Sequence, residues 1–146
     1  MSEIKIRSAN QNDFDAVAIL LSAEKLPVDD IDSSLNNFFA AVDGNEIVGA
    51  IGLEVYGKYG LLRSMITNSA YRNKGIAAKL VQRLFEHAQS LSLKEIYLLT
   101  ETAEKYFANK GFAAVQRDHV PEAIKQSQEF SHVCPSTAIV MKKEIM

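Results

Sequence analysis

At 146 residues, with 47% hydrophobic and 23% charged side chains, the chain has the size and composition of one ordinary globular domain over residues 1–146. A net charge of -2 excludes a general attraction to nucleic acid or anionic lipid, and no apolar run approaches the roughly 18 residues that cross a bilayer. The start MSEIKIRSAN lacks the pattern of a signal peptide and a lone Cys134 cannot form an internal disulfide, so the expected compartment is the cytoplasm.

Ile4 and Ile6 alternate with polar neighbours and predict a first strand. Asn10 with Asp13 three residues on marks a helix start, followed by Phe14, Val17, Ala18 and Leu21 at helical spacing. Residues 23 to 37 are polar and contain Pro27. They predict a loop with a short helix near Ile31 to Asn37. Phe38 to Val42 and Ile47 to Tyr56 read as strands joined at Asp43-Gly44-Asn45, and Gly57 to Gly60 as a second turn before a strand at Leu61 to Thr67. Ile76, Leu80, Leu84 and Ala88 recur at i, i+4 spacing, predicting an amphipathic helix of about 25 Å over Gly75 to Leu91.

Glu95 to Leu99 reads as a buried strand and Thr102 to Asn109 as a helix capped by Gly111. A strand at Phe112 to Val115, an excursion from Pro121 and a last strand at Thr137 to Met141 complete the chain. This order predicts an α/β (α+β) fold, a mixed and mostly antiparallel central sheet with helices on both faces.

Charge is unevenly distributed. Val55 to Phe85 holds Lys58, Arg63, Arg72, Lys74, Lys79 and Arg83 with no Asp or Glu, whereas residues 24 to 46 are acidic. A basic stretch in a mildly acidic protein suggests a local anion site. It coincides with Ile66-Thr67-Asn68-Ser69-Ala70-Tyr71-Arg72-Asn73-Lys74-Gly75-Ile76-Ala77, where a strand ends and the long helix begins. A helix start exposes unpaired N–H groups worth roughly half a positive charge, Gly75 and Ala77 admit close approach, and Arg72 and Lys74 add charge. This chemistry suits a diphosphate. No Gly-Lys-Ser/Thr ends the turn and no G-x-G-x-x-G is present, so nucleoside-triphosphate loops and dinucleotide folds fit poorly.

Arg72-x-x-Gly75-x-Ala77 resembles the acetyl-CoA motif of the GNAT superfamily of N-acetyltransferases, and Ala103-x-x-x-Phe107-x-x-x-Gly111-Phe112 resembles its second motif. The resemblance extends over essentially the whole chain and implies that fold. It implies that the amides of Asn73, Lys74, Gly75, Ile76 and Ala77, with the Arg72 and Lys74 side chains, hold the coenzyme A pyrophosphate. The backbone of Met65, Ile66 and Thr67 would pair with the pantetheine arm like an added strand, in a gap where that strand splays from the one at Glu95 to Leu99. A backbone N–H there would polarise the thioester carbonyl. Thr100 and Phe107 fall at cofactor-side positions usually held by Asn and Tyr, so the usual proton donor is missing. Tyr106 is then the candidate substitute acid, or a packing residue, pointing about 100° away around the helix.

The candidate base is Glu54, which shares a strand face with small Ala50 and Gly52 and so borders a roomy surface. An alkylamine near pKa 10 must lose a proton before it attacks, and a carboxylate can take it. Glu54 and Arg63 are also candidate acceptor ligands, a structural ion pair between them being the alternative. His87 falls on the polar side of the long helix and reads as a solvated surface residue. His119, His132 and Cys134 lack metal-ligand spacing, and no metal site is expected.

Further segments, Gly52-Leu53-Glu54-Val55-Tyr56-Gly57, Leu61-Leu62-Arg63-Ser64, Tyr97 to Thr100 with Thr102-Ala103-Glu104, Pro121-x-Ala123-Ile124, Glu129-Phe130 and Cys134-Pro135, resemble the arsenic-resistance acetyltransferases within that superfamily. Phe107 would be unremarkable there, and a small amino-acid-like acceptor is implied. The expected activity is acetyl transfer from acetyl-CoA to the amine of a small molecule, without metal. The alternatives are a protein or peptide N-acetyltransferase and a non-catalytic acetyl-CoA sensor. Nothing in the sequence specifies an interface, which leaves a homodimer open.

Overall fold

The strand β1 (Ile4–Ser8) pairs antiparallel with β2 (Phe38–Asp43), Ile4 facing Asp43 and Ser8 facing Phe39. In this computed structural model, which describes residues 3–26, 28–127 and 138–145, the chain then turns at Asn10. The Asn10 side chain accepts the Asn12 N–H at 2.8 Å, and the Asp13 carboxylate accepts the Asn10 N–H at 2.9 Å. This reciprocal cap starts a short 3₁₀ turn that runs into α1 (Phe14–Ala23), which buries Val17 and Leu21.

The expected short helix near Ile31 to Asn37 is not formed. Leu35 and Asn37 adopt positive φ of 54° and 62°, a left-handed backbone that cannot continue a helix, and the segment consists of turns. Gly44 supplies the positive φ of the turn between β2 and β3 (Glu46–Tyr56). The next turn is tighter than expected, occupying Gly57 and Lys58, so β4 (Tyr59–Thr67) begins two residues before Leu61.

The remaining elements are α2 (Ile76–Ser90), β5 (Glu95–Thr100), α3 (Glu104–Asn109), β6 (Ala113–Ala114), α4 (Glu122–Lys125) and β7 (Ile139–Glu144). The α3 helix starts two residues after Thr102, because the Thr100 Oγ1 accepts the Ala103 N–H at 3.0 Å and holds the entry open. Strand β6 has only two residues, and β7 extends beyond Met141. Pro27, Glu129, Phe130, His132, Cys134, Pro135 and Thr137 lie outside the described residues.

The strands form one mixed seven-stranded sheet in the order β1-β2-β3-β4-β5-β7-β6. The β4–β5 pair is parallel and the β1–β2, β2–β3, β5–β7 and β6–β7 pairs are antiparallel. Strands β3 and β4 run through both of the compact units into which the chain divides, Met1–Leu53 with Ser64–His87 and Glu54–Arg63 with Ala88–Met146.

In the first unit, Ala50 packs with Val17, Leu21, Leu35, Phe38 and Ile66, so α1 covers that face of β3. The neighbouring Gly49 points the other way, where an added Cβ would meet Ile76 and Leu80 of α2 at 3.3 Å. The two helices therefore cover opposite faces, as the strand alternation requires. In the second unit, Leu61, Tyr97, Val120, Ile124 and Val140 form a buried cluster beneath α4.

Candidate active site

The segment from β4 to α2 is held by its own polar residues. The Asn68 N–H donates to the Val48 carbonyl at 2.7 Å, its Oδ1 accepts the Ala70 N–H at 2.9 Å, and its carbonyl accepts the Tyr71 N–H at 2.8 Å. The Tyr71 hydroxyl donates to Asp43 Oδ2 at 2.7 Å, tying the loop to the end of β2. That bond, with desolvation, pushes the Tyr71 phenol up to about 12. The chain reverses at Asn73 (φ 65°) and Gly75 (φ 78°), and nothing lies within 4 Å of where a Gly75 Cβ would be.

Ile76, 2% exposed, roots the helix start. The first helical bond runs from the Lys79 N–H to the Gly75 carbonyl at 3.2 Å. Ahead of it the amides of Asn73 to Ala77 have no acceptor among the described residues. Arg72, Asn73, Lys74 and Gly75 are exposed and Ala77 is half-buried. Arg72 forms an ion pair with Glu24, which follows α1, both side chains being about half exposed. These open amides on a rooted helix, with a glycine that leaves room, fit a diphosphate.

Before this loop, Ser64 interrupts β4 with a positive φ of 59°, and Met65, Ile66 and Thr67 follow. The parallel ladder with β5 covers only Tyr59–Leu61 opposite Glu95–Tyr97, although Leu62 and Leu98 continue their strands. The resemblance to the family implies a short ladder between these two strands. Gly49 permits close packing nearby, since a Cβ there would stand 3.0 Å from the Ile66 carbonyl.

Glu54 is embedded in a polar cluster of the second unit. Its Oε1 accepts the Tyr56 hydroxyl at 2.8 Å, and its Oε2 accepts Arg63 Nη1 at 3.0 Å. The Arg63 side chain is 1% exposed and that of Glu54 26%. Burial, then the bond to Glu54, raises the Tyr56 phenol well above its ordinary range, while a hydrogen bond from buried Ser127 opposes this. Tyr56 lies in a segment that carries the subgroup resemblance, but neither its bond to Glu54 nor the part of Ser127, which carries no motif, was expected from the sequence.

The room expected beside Glu54 is taken. Ala50 is fully buried, and a Cβ at Gly52 would overlap the Phe38 ring, so these small residues admit Phe38 and α1. Their smallness solves a packing problem and opens no cleft.

In α3, Phe107 is 5% exposed and packs edge-on against Tyr106 at 5.3 Å and Phe112 at 5.6 Å. The Tyr106 hydroxyl is buried without a hydrogen bond among the described residues, and burial raises its pKa. Thr100 caps the entry to α3 through its hydroxyl.

His87 is not the solvated residue expected. Its Nε2 lies 2.8 Å from Asn37 Oδ1 and its ring packs edge-on to Phe39 at 5.2 Å, with burial lowering its pKa. Among the described residues no three His, Cys, Asp or Glu side chains gather at metal-binding distance, and no helix is long and apolar enough to cross a membrane.

The Acetyltransferase (GNAT) family model matches residues 8–114, and the chain belongs to this family. An uncharacterised N-acetyltransferase of Chlorobaculum tepidum is 25% identical over 101 residues, which cover 68% of this chain and 64% of that protein. The N-acetylglutamate synthase of Neisseria gonorrhoeae, solved with coenzyme A and N-acetyl-glutamate, superimposes with a TM-score of 0.84 at 15% identity, over 100% of this chain and 36% of that one. A GNAT-family acetyltransferase of Staphylococcus aureus Mu50 does so at 0.77 and 22% identity, over 99% of this chain and 100% of that one. The chain thus spans less than two thirds of the first two relatives and the full length of the third.

Proposed function

We propose that the chain is an acetyl-CoA-dependent N-acetyltransferase acting on the amine of a small-molecule or amino-acid-like acceptor, by direct attack in a ternary complex. The observation that carries this reading is the set of amides from Asn73 to Ala77, without acceptors among the described residues at the start of a 15-residue helix in a member of the GNAT family. Acetyl-CoA, when bound, supplies an acyl group activated as a thioester. The amides and the side chains of Arg72 and Lys74 bind its diphosphate, where the helix dipole favours negative charge. The backbone of Met65, Ile66 and Thr67 orients the pantetheine arm, and an N–H of that backbone stabilises charge on the carbonyl oxygen.

Glu54 takes the proton of the acceptor ammonium, directly or through water, and Arg63 holds the carboxylate in place. Thr100 and Phe107 shape the α3 entry. The departing thiolate needs little help, since a thiol near pKa 8.5 leaves moderately well. Water or the Tyr106 hydroxyl, which burial keeps protonated, supplies its proton. Resemblance to the arsenic-resistance subgroup supports a small, toxic, amino-acid-like acceptor. Cofactor binding without turnover is a second reading, favoured by one observation: both Glu54 oxygens already accept a hydrogen bond.

Titration calorimetry should show acetyl-CoA affinity falling at least tenfold in Arg72→Ala with Lys74→Ala, for two charge-assisted contacts. Equal affinity would remove the cofactor assignment. Free-thiol release across amines and amino acids separates the two readings. Silence with the cofactor bound favours the sensor. In Glu54→Gln, a base role predicts a rate loss of roughly 10²-fold at neutral pH that shrinks at alkaline pH, where the amine is already neutral. A loss independent of pH would make Glu54 structural.

A further inference from the structure

A cavity of about 250 Å³ opens beside the end of β4, within the first unit. Leu20, Ala23 and Ile66 supply apolar walls, Thr67 and Ser69 add polar groups, and Glu24 is the ionisable side chain among the described residues that line it. An apolar pocket with one carboxylate has the chemistry of a site for an alkylammonium group, the chain against the apolar walls and the charge on the carboxylate. In this structure that carboxylate is engaged by Arg72, which also stands at the start of the anion loop.

We propose that this pocket is a docking site for a primary alkylammonium group, distinct from the reacting amine that Glu54 serves, coupled to cofactor binding by partner exchange. Arg72 leaves Glu24 for the diphosphate, and Glu24 then takes the ammonium. The exchange is available because both side chains are about half exposed, and such an ion pair is held weakly. A diphosphate carries more charge than one carboxylate and has the loop amides to share it. Each ligand relieves the competition that the other meets, and linkage makes the effect mutual. The inference rests on the reading of Arg72 as a diphosphate ligand and assigns to Glu24 both a binding role and a restraint on the cofactor.

The test is calorimetric titration of coenzyme A, which cannot turn over, into the whole chain at constant ionic strength. In the wild type, butylamine hydrochloride should tighten coenzyme A by about two- to fivefold, the range of an exposed ion pair, and butanol should not. Glu24→Gln, a substitution at an exposed position, should tighten coenzyme A by a similar factor unaided and abolish the butylamine effect. Unchanged or weaker coenzyme A binding in Glu24→Gln would overturn the exchange. Tightening in that variant without a butylamine effect in the wild type would overturn the ammonium site. If Arg72→Ala leaves coenzyme A affinity unchanged, the diphosphate role of Arg72 itself fails. If Arg72→Ala weakens binding while Glu24→Gln does nothing, only this inference fails.

Discussion

Tyr71 separates what a motif announces from what makes it work. Arg72, Gly75 and Ala77 stand out in the sequence because charge and smallness before a helix have few other uses. Tyr71 does not, because its partner Asp43 is 28 residues away and no spacing rule connects them. Its hydroxyl fixes the loop from which the amides point. Tyr71→Phe should therefore raise KM for acetyl-CoA about three- to tenfold, the worth of one ordinary hydrogen bond, with kcat at saturation unchanged. Steady-state kinetics reads this directly, and an unaltered KM would show that the loop holds its shape without the bond. Glu54 teaches the complementary lesson. Its position on the strand and the alternative of an ion pair with Arg63 were legible, and that pair is formed, but its hydrogen bond from Tyr56 was not, since it is set by the placing of side chains in space.

Among the elements, those with a strong period were legible and those governed by single dihedrals were not. The spacing of Ile76, Leu80, Leu84 and Ala88 defines α2 to within one residue at either end. The turns between Ile31 and Asn37 depend on left-handed backbone at Leu35 and Asn37, and a buried leucine in that conformation has no sequence signature. The entry to α1 was legible because its reciprocal cap is local.

That cap carries a pH dependence. Arg7 donates to both oxygens of Asp13 at 2.8 and 2.9 Å, and this pairing, above all, holds the Asp13 carboxyl below its ordinary range. A depressed folded pKa means that the unfolded chain takes the proton first. The stabilisation is therefore complete above about pH 4 and is lost as pH falls through the folded value. Asp13→Ala should cost about 1–3 kcal/mol at neutral pH, combining a lost cap and charged hydrogen bonds. Urea unfolding at pH 7 and pH 3 should show the gap between wild type and variant narrowing in acid. A constant gap would assign the effect to packing.

For the molecule as a whole, a ligand that binds only the folded chain must stabilise it. Coenzyme A at a hundredfold over its Kd should add about 2.7 kcal/mol, a rise in Tm of roughly 5–10 °C for a chain of this size. Thermal unfolding checks this, and a flat Tm at saturating cofactor would contradict binding to the native state.

From residue order alone came the mixed sheet, the helices α1, α2 and α3 and the turn that leads into α2, because periodicity, caps and charge runs act over one or two turns of chain. Tertiary structure alone decided that Gly52 makes room for Phe38, that His87 is tethered to Asn37, and that Arg72 meets Glu24. Those outcomes depend on which distant surfaces come into van der Waals and hydrogen-bonding range. That range is a few ångströms, and separation along the chain does not encode it.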